Sequence, residues 1–161
     1  LEHRRGAALP ATAQILLWPQ YWAWWLAGVA HAEVTSLGCH SDLWCPATAS
    51  PSPMAARRGW AALLPPLAHA GSVAGPMRHD LARQIGLPRP PIVHVGLHDS
   101  NAALLAARRA AGTDVATVST GTWFVAMGPP GLRPLPQDRD CLLNVDVDGR
   151  PVPSARWMGG R

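Results

Sequence analysis

Asp99 lies in the segment Gly96-Leu-His-Asp-Ser-Asn101, directly after a β-branched run bounded by proline and glycine. Open α/β sheets place ligand-contacting residues where a buried strand ends and a helix begins. A carboxylate there can take a proton from a substrate hydroxyl, acting as a general base. The same position also suits a helix cap, so closure of the following helix by Asp99 or Ser100 remains an alternative account. His98 alone carries less weight, because a single histidine often fills a structural role. A second group is Ser119-Thr-Gly-Thr122, a turn with Gly121 at its tip. Backbone N–H groups exposed by such a turn, with hydroxyls on both sides, can cradle phosphate oxygens. Turn geometry alone also explains a Thr-Gly-Thr sequence. Asp99 and Ser119 are 20 residues apart along the chain. A single intervening helix can therefore set an acid and a phosphate turn on opposite walls of one cleft.

Other chemistries fare poorly. His31, Cys39, His40 and Cys45 are metal-ligand types, but they show neither Cys-x-x-Cys nor His-x3-His spacing, so no metal site is expected. Asp146-Val-Asp148-Gly149 resembles the start of a calcium loop without its later ligands, and a hairpin turn explains it better. The chain contains no lysine, which excludes a Walker-type lysine loop and a Schiff base. No Gly-x-Ser-x-Gly elbow or dinucleotide fingerprint is present.

The elements that must position these residues follow from local signals. Pro19 at a first turn and Gly28 at the end mark a helix through the Trp-rich run, expected to be buried. His31 to Trp44 is small and polar without helical periodicity, and reads as a loop or irregular strand. Residues 46–53 read as a Pro/Ser/Ala connector. Gly59 to Leu67 suggests a short helix ended by Pro65 and Pro66, and Pro76 to Ile85 another, capped by Gly86. Pro91 to Gly96 reads as a buried strand and Asn101 to Ala111 as a helix. Strands at Val115–Ser119 and Trp123–Met127 flank the Thr-Gly-Thr turn. A hairpin with Asp148-Gly149 at its turn follows Cys141. This alternation suggests an α/β protein.

Composition sets the outer bounds. The chain has 161 residues, 48% hydrophobic and 15% charged, which excludes a disordered tail and allows one domain or the joined pieces of two. The formal charge of +4 comes from 14 arginines against 10 acidic residues. Those arginines are scattered, so no nucleic-acid partner is expected. Three cysteines fit a reducing cytoplasm better than a disulfide framework, and no signal peptide is read at the N-terminus. Ile15 to Ala30 carries Trp18, Trp22, Trp24 and Trp25 and no charge, but is too short to span a bilayer. No membrane role is expected.

The segments PQYWAWWLAGVAHAEVTSLGCHSDLW, GLHDSNAALL, VSTGTWFVAM and CLLNVDVDGRPVPSARWMGGR, in this order, resemble the FGGY carbohydrate kinases, closest to the rhamnulokinase- and fuculokinase-like branch. The resemblance runs from about Ile15 to Arg161 and is weakest from Ser50 to Ala74. It implies an α/β, actin-like ATPase fold of two ribonuclease-H-like domains with sugar and ATP between them. It further implies that Asp99 is the catalytic base, that His98 and Asn101 contact the sugar, and that Glu33 to Trp44 lines the sugar side. Ser119, Thr120, Gly121 and Thr122 would then hold ATP phosphates, with Mg2+ accompanying the nucleotide. Residues 1–111 would close the first, sugar-binding domain and 112–161 open the second, ATP-binding one. The family's Asp-x-Gly-Thr hairpin and glycine-rich adenosine segment have no counterpart here. The resemblance therefore implies an incomplete fold and a truncated chain, with a non-catalytic, sugar-binding remnant as the alternative. Tryptophans 22, 24, 25 and 123 would be left partly uncovered.

Overall fold

In the computed structural model, residues 13–121, 123–129 and 141–159 are described, without the side chains of His40 and Cys141. The first element, α1 (Trp18–Ala27), starts at Pro19 and ends at Gly28, whose φ of 80° lets its N–H return to the Trp24 carbonyl at 2.6 Å. Only Gln20 and Ala23 of this helix are buried. Trp18, Tyr21, Trp22, Trp24 and Trp25 are all exposed, Trp18 by 74%. The expectation of a buried helix is therefore corrected, whereas partial exposure of Trp22, Trp24, Trp25 and Trp123 is found. The aromatic rings pack mainly on one another, edge to face, from Trp18 through Tyr21 and Trp22 to Trp25.

The segment read as a loop contains a helix, α2 (Val34–His40). Its cap is Glu33, whose carboxylate accepts from the Thr35 and Ser36 N–H groups and so satisfies two of the free donors at a helix start. Glutamate is not among the preferred capping types, which is why local pattern misses this start. Beyond it, β1 (Trp44–Cys45) pairs with β2 (Ser50–Pro51), so the proline-rich connector carries a small hairpin. Ser52 then caps α3 (Pro53–Arg57), and a 3-10 turn runs from Trp60 to Leu63. The strand β3 (Val73–Pro76) takes the start anticipated for a helix, and α4 occupies only His79–Gln84.

Strand β4 (Ile92–His94) pairs antiparallel with β3 alone. Ile92 is 56% exposed and only the following Val95 is fully buried. The β-branched run thus forms a strand, but its expected burial is not found. Helix α5 (Asp99–Ala111) follows, with Gly112 closing it at φ 91°. The N-cap is His98, and Asp99 is the first helical residue. That corrects the capping account: neither Asp99 nor Ser100 is the cap.

The last part is a four-stranded antiparallel sheet in the order β5-β6-β8-β7, from β5 (Thr117–Thr120), β6 (Phe124–Met127), β7 (Cys141–Val145) and β8 (Pro151–Trp157). Asp146 shapes the β7–β8 turn, its Oδ1 accepting from the Asp148 and Arg150 N–H groups at 3.0 and 2.9 Å. Leu104 of α5 packs against Val125, Met127 and Val152 in one buried cluster. Burying such a leucine stabilises by about 1.5–3 kcal/mol, enough to fix the helix on the sheet. Val145 belongs instead to a second cluster with Ala32, Leu37, Leu43, Trp44 and Ala55. The β7–β8 hairpin therefore holds both halves of the chain together.

Candidate functional site

A cleft of about 400 Å³ opens beside the start of α5. Leu17, Trp18 and Pro19 form its apolar side, Ser36 comes from α2, and Leu97, His98 and Asp99 close it. A mostly apolar cleft of this size with a few convergent polar groups is the usual form of a small-molecule site. The Asp99 side chain is 92% exposed, while that of His98 is almost covered. His98 Nε2 stands 3.2 Å from Asp99 Oδ1, close enough for the ring N–H to donate to the carboxylate. Asp99 Oδ1 also accepts from the Ser100 N–H at 2.6 Å, and the carboxylate as a whole stays open to solvent.

The placement of Asp99 is built from behind. Glu33, buried, takes the Thr35 hydroxyl at 2.6 Å, and Thr35 Oγ1 in turn accepts the His98 N–H at 3.1 Å. A buried carboxylate thus orients a hydroxyl, which orients the residue before Asp99. On the other flank Gln20 Nε2 donates to the Gly96 carbonyl at 3.2 Å, tying α1 to the turn. Gly96 has φ 79°, and a Cβ there would meet Pro19 at 3.8 Å, so any side chain would be strained mainly by the backbone. Trp18, Pro19 and Gln20 carry no site signal in the sequence, while Thr35 and Ser36 fall within the Glu33 to Trp44 stretch expected on the sugar side, without individual roles. The Trp-rich run reads as core, and a hydroxyl's partner 63 residues away leaves no local trace.

Asn101 goes elsewhere. Its Nδ2 donates to the Val145 carbonyl, and its side chain lines a separate cavity with Arg108 and Asp146. Arg108 Nη1 meets Asp146 Oδ2 at 2.7 Å in a nearly buried pair. Both bonds join α5 to the β7–β8 hairpin, so in this structure Asn101 links elements, apart from the cleft of His98 and Asp99. Ser119 and Thr120 end β5, and the Gly121 N–H reaches the Trp123 carbonyl at 3.2 Å. Thr120 and Gly121 are exposed and open to a ligand, while Thr122 lies outside the described residues.

Cys39, buried in α2, lines a separate cavity with Asp42, Asn144 and Arg156. Burial pushes its thiol pKa up, the Asn144 side chain bonded to its sulfur draws it down, Asp99 raises it and Arg156 lowers it. Cys45, half-buried, is shifted the other way by hydrogen bonds from Thr48. Among the described residues no group of three histidine, cysteine or acidic side chains is placed to hold a metal ion. No helix among them is long and apolar enough to cross a membrane.

Residues 112–161 match the family model for the C-terminal domain of the FGGY carbohydrate kinases. A solved carbohydrate kinase from Novosphingobium aromaticivorans is 55% identical over 89% of this chain, with a TM-score of 0.77. A xylulose kinase from Rhodospirillum rubrum is 16% identical over 88% of the chain at a TM-score of 0.62, and a gluconate kinase from Lactobacillus acidophilus 14% over 86% at 0.65. The latter two share the fold, which is the actin-like ATPase fold of sugar kinases. The chain spans 33%, 29% and 28% of the length of these three structures. No curated protein matches the chain. The rhamnulokinase-like and fuculokinase-like branch is not singled out by these likenesses. With residues 112–161 matched by the C-terminal domain model and 55% identity over 89% of the chain to a solved carbohydrate kinase, this chain belongs to the FGGY carbohydrate kinases and spans about a third of that kinase's length.

Proposed function

We propose that the chain supplies the base-bearing wall and one phosphate turn of an ATP-dependent sugar kinase site. The observation that carries this is the cleft itself, where an exposed carboxylate, steadied by a covered histidine, faces an apolar wall ending in Trp18. A sugar ring laid on that wall presents a hydroxyl to Asp99. Asp99 takes the hydroxyl proton, and the alkoxide oxygen forms a bond to the γ-phosphorus of ATP. The bond from that phosphorus to the bridging oxygen breaks, and its electron pair leaves with ADP. His98 donates to the carboxylate and keeps it turned toward the sugar. Ser119, Thr120, Gly121 and Thr122 present hydroxyls and backbone N–H groups to the phosphates of the departing nucleotide. Asn101 belongs with this site as a second sugar contact only if its bond to Val145 opens.

A magnesium ion would arrive on the nucleotide, keep several of its waters and need few protein carboxylates, of which Asp99 is the exposed one at the cleft. Bound there, it would neutralise phosphate charge. Residues 1–111 belong to the sugar-binding domain and 112–161 to the ATP-binding domain, with Gly112 at the boundary. The substrate class is a ketose, such as a deoxy-ketohexose or pentulose, and the compartment a reducing cytoplasm in which Cys39 and Cys45 stay free thiols.

A second reading, a sugar-binding remnant without catalysis, is favoured by the apolar cleft of Leu17, Trp18 and Pro19, which can seat a sugar ring without a nucleotide. Titration calorimetry separates the two. Saturable heats with both a ketose and Mg-ATP support the kinase site, a heat with sugar alone supports the remnant, and silence with both overturns each.

A further inference from the structure

Phosphoryl transfer draws on cations that meet the charge of the transferred group, and within these lysine-free residues a cationic side chain for that task is an arginine. The described arginines narrow quickly. Only Arg108 and Arg156 are not exposed, and Arg108 is held by Asp146. Arg156 is half-buried and makes no ion pair or hydrogen bond among the described residues.

The register of the sheet fixes where Arg156 lies. Ser119 of β5 pairs with Val125 of β6, and Val125 pairs with Arg156 of β8. Residues directly opposite across antiparallel strands project from the same face, so Ser119, Val125 and Arg156 form one row. Two strand spacings separate its ends, about 10 Å. Val125 packs on Leu104, so this is the face covered by α5, the helix that begins at Asp99. Arg156 also lines a cavity of about 260 Å³, with Cys39, Ser41, Asp42, Trp44 and Asn144. Asp42 is the sole carboxylate there and is exposed at its edge. Cys39, buried in α2, lies within the electrostatic reach of both Asp99 and Arg156.

The geometry points to Arg156 as a further catalytic residue, one that binds the terminal phosphoryl group of the nucleotide between Asp99 and the Ser119 turn. The inference rests on the kinase reading above. Arg156 forms and breaks no bond. Its guanidinium donates to the equatorial oxygens of the group being moved, and planar, forked donors suit a phosphate.

The test compares Mg-ATP with Mg-ADP by calorimetry on the native chain, Arg156→Gln, Arg156→Lys and Arg109→Gln. Arg109 is an exposed arginine on α5 and serves as a charge control. Native chain is expected to prefer ATP. Arg156→Gln should weaken ATP binding roughly ten- to hundredfold, as loss of a charged hydrogen bond does, and leave ADP binding unchanged. Arg156→Lys should recover part of the preference, and Arg109→Gln should keep all of it. Circular dichroism confirms that each variant is folded. An unaltered ATP-to-ADP ratio in Arg156→Gln overturns the role of Arg156 while leaving the kinase reading in place. Absence of nucleotide binding by the native chain overturns both.

Discussion

Glu33→Gln separates a carboxylate that orders the site from one that is merely buried. In the native chain Oε1 accepts the Thr35 N–H at 3.1 Å. Oε2 accepts the Thr35 hydroxyl at 2.6 Å, the Ser36 N–H at 3.1 Å and the Ser36 hydroxyl at 3.2 Å. Glutamine converts one of these oxygens into a donor. Whichever way the amide turns, the Thr35 or the Ser36 backbone N–H then faces an N–H group. One orphaned buried donor costs about 1–3 kcal/mol, and loss of the charged cap adds to it. The expected sum is about 2–4 kcal/mol. For a chain of this size each kcal/mol lowers the melting temperature by roughly 2–4 °C, so a fall of roughly 5–15 °C should appear in a circular dichroism melt. The same substitution disturbs Thr35, whose hydroxyl holds the His98 N–H. Hydrogen exchange at the His98 amide should therefore speed up more than at the Leu104 amide, deeper in α5. A melting temperature within about 1 °C of native, with His98 protection unchanged, would refute the buried relay.

Three further outcomes follow from other parts of the fold. Arg108→Leu leaves Asp146 charged and 97% covered without its partner, which should cost about 3–5 kcal/mol and release α5 from the hairpin; a chemical denaturation curve with an unchanged midpoint would contradict the pair's role. In a Cys141→Ser background, iodoacetamide should label Cys45 with a pH midpoint below that of an ordinary thiol and Cys39 with one above it, because hydrogen bonds favour the Cys45 thiolate and burial opposes that of Cys39. Arg156→Gln should raise the Cys39 midpoint further and Asp99→Asn lower it; the opposite order would place those charges wrongly.

Legibility in the sequence tracks how local each cause is. The Ala-rich run Asn101–Ala111, Pro19 with Gly28, and Asp148-Gly149 carry their own structural signals, and the helices and hairpin are found there. Helix α2 was illegible because its cap is a glutamate and its body, VTSLGCH, holds a β-branched pair and an interior glycine. The run at Ile92 reads as buried because β-branching reports strand preference and says nothing about how many neighbours cover the strand. The site divides likewise. Asp99, His98 and the Ser119–Gly121 turn stand out by residue type and order. The supports at Gln20, Glu33 and Thr35, and the turn of Asn101 toward Val145, depend on contacts between distant parts of the chain.

The most direct measurement is the rate of ADP formation from Mg-ATP across a panel of deoxy-ketoses and pentuloses, for the native chain and for Asp99→Asn. If Asp99 is the base, one sugar of the panel supports transfer by the native chain, and Asp99→Asn lowers that rate roughly 10²- to 10⁴-fold while the affinity for Mg-ATP holds. Equal rates in the two chains, or no transfer by the native chain to any sugar in the panel, would contradict the account.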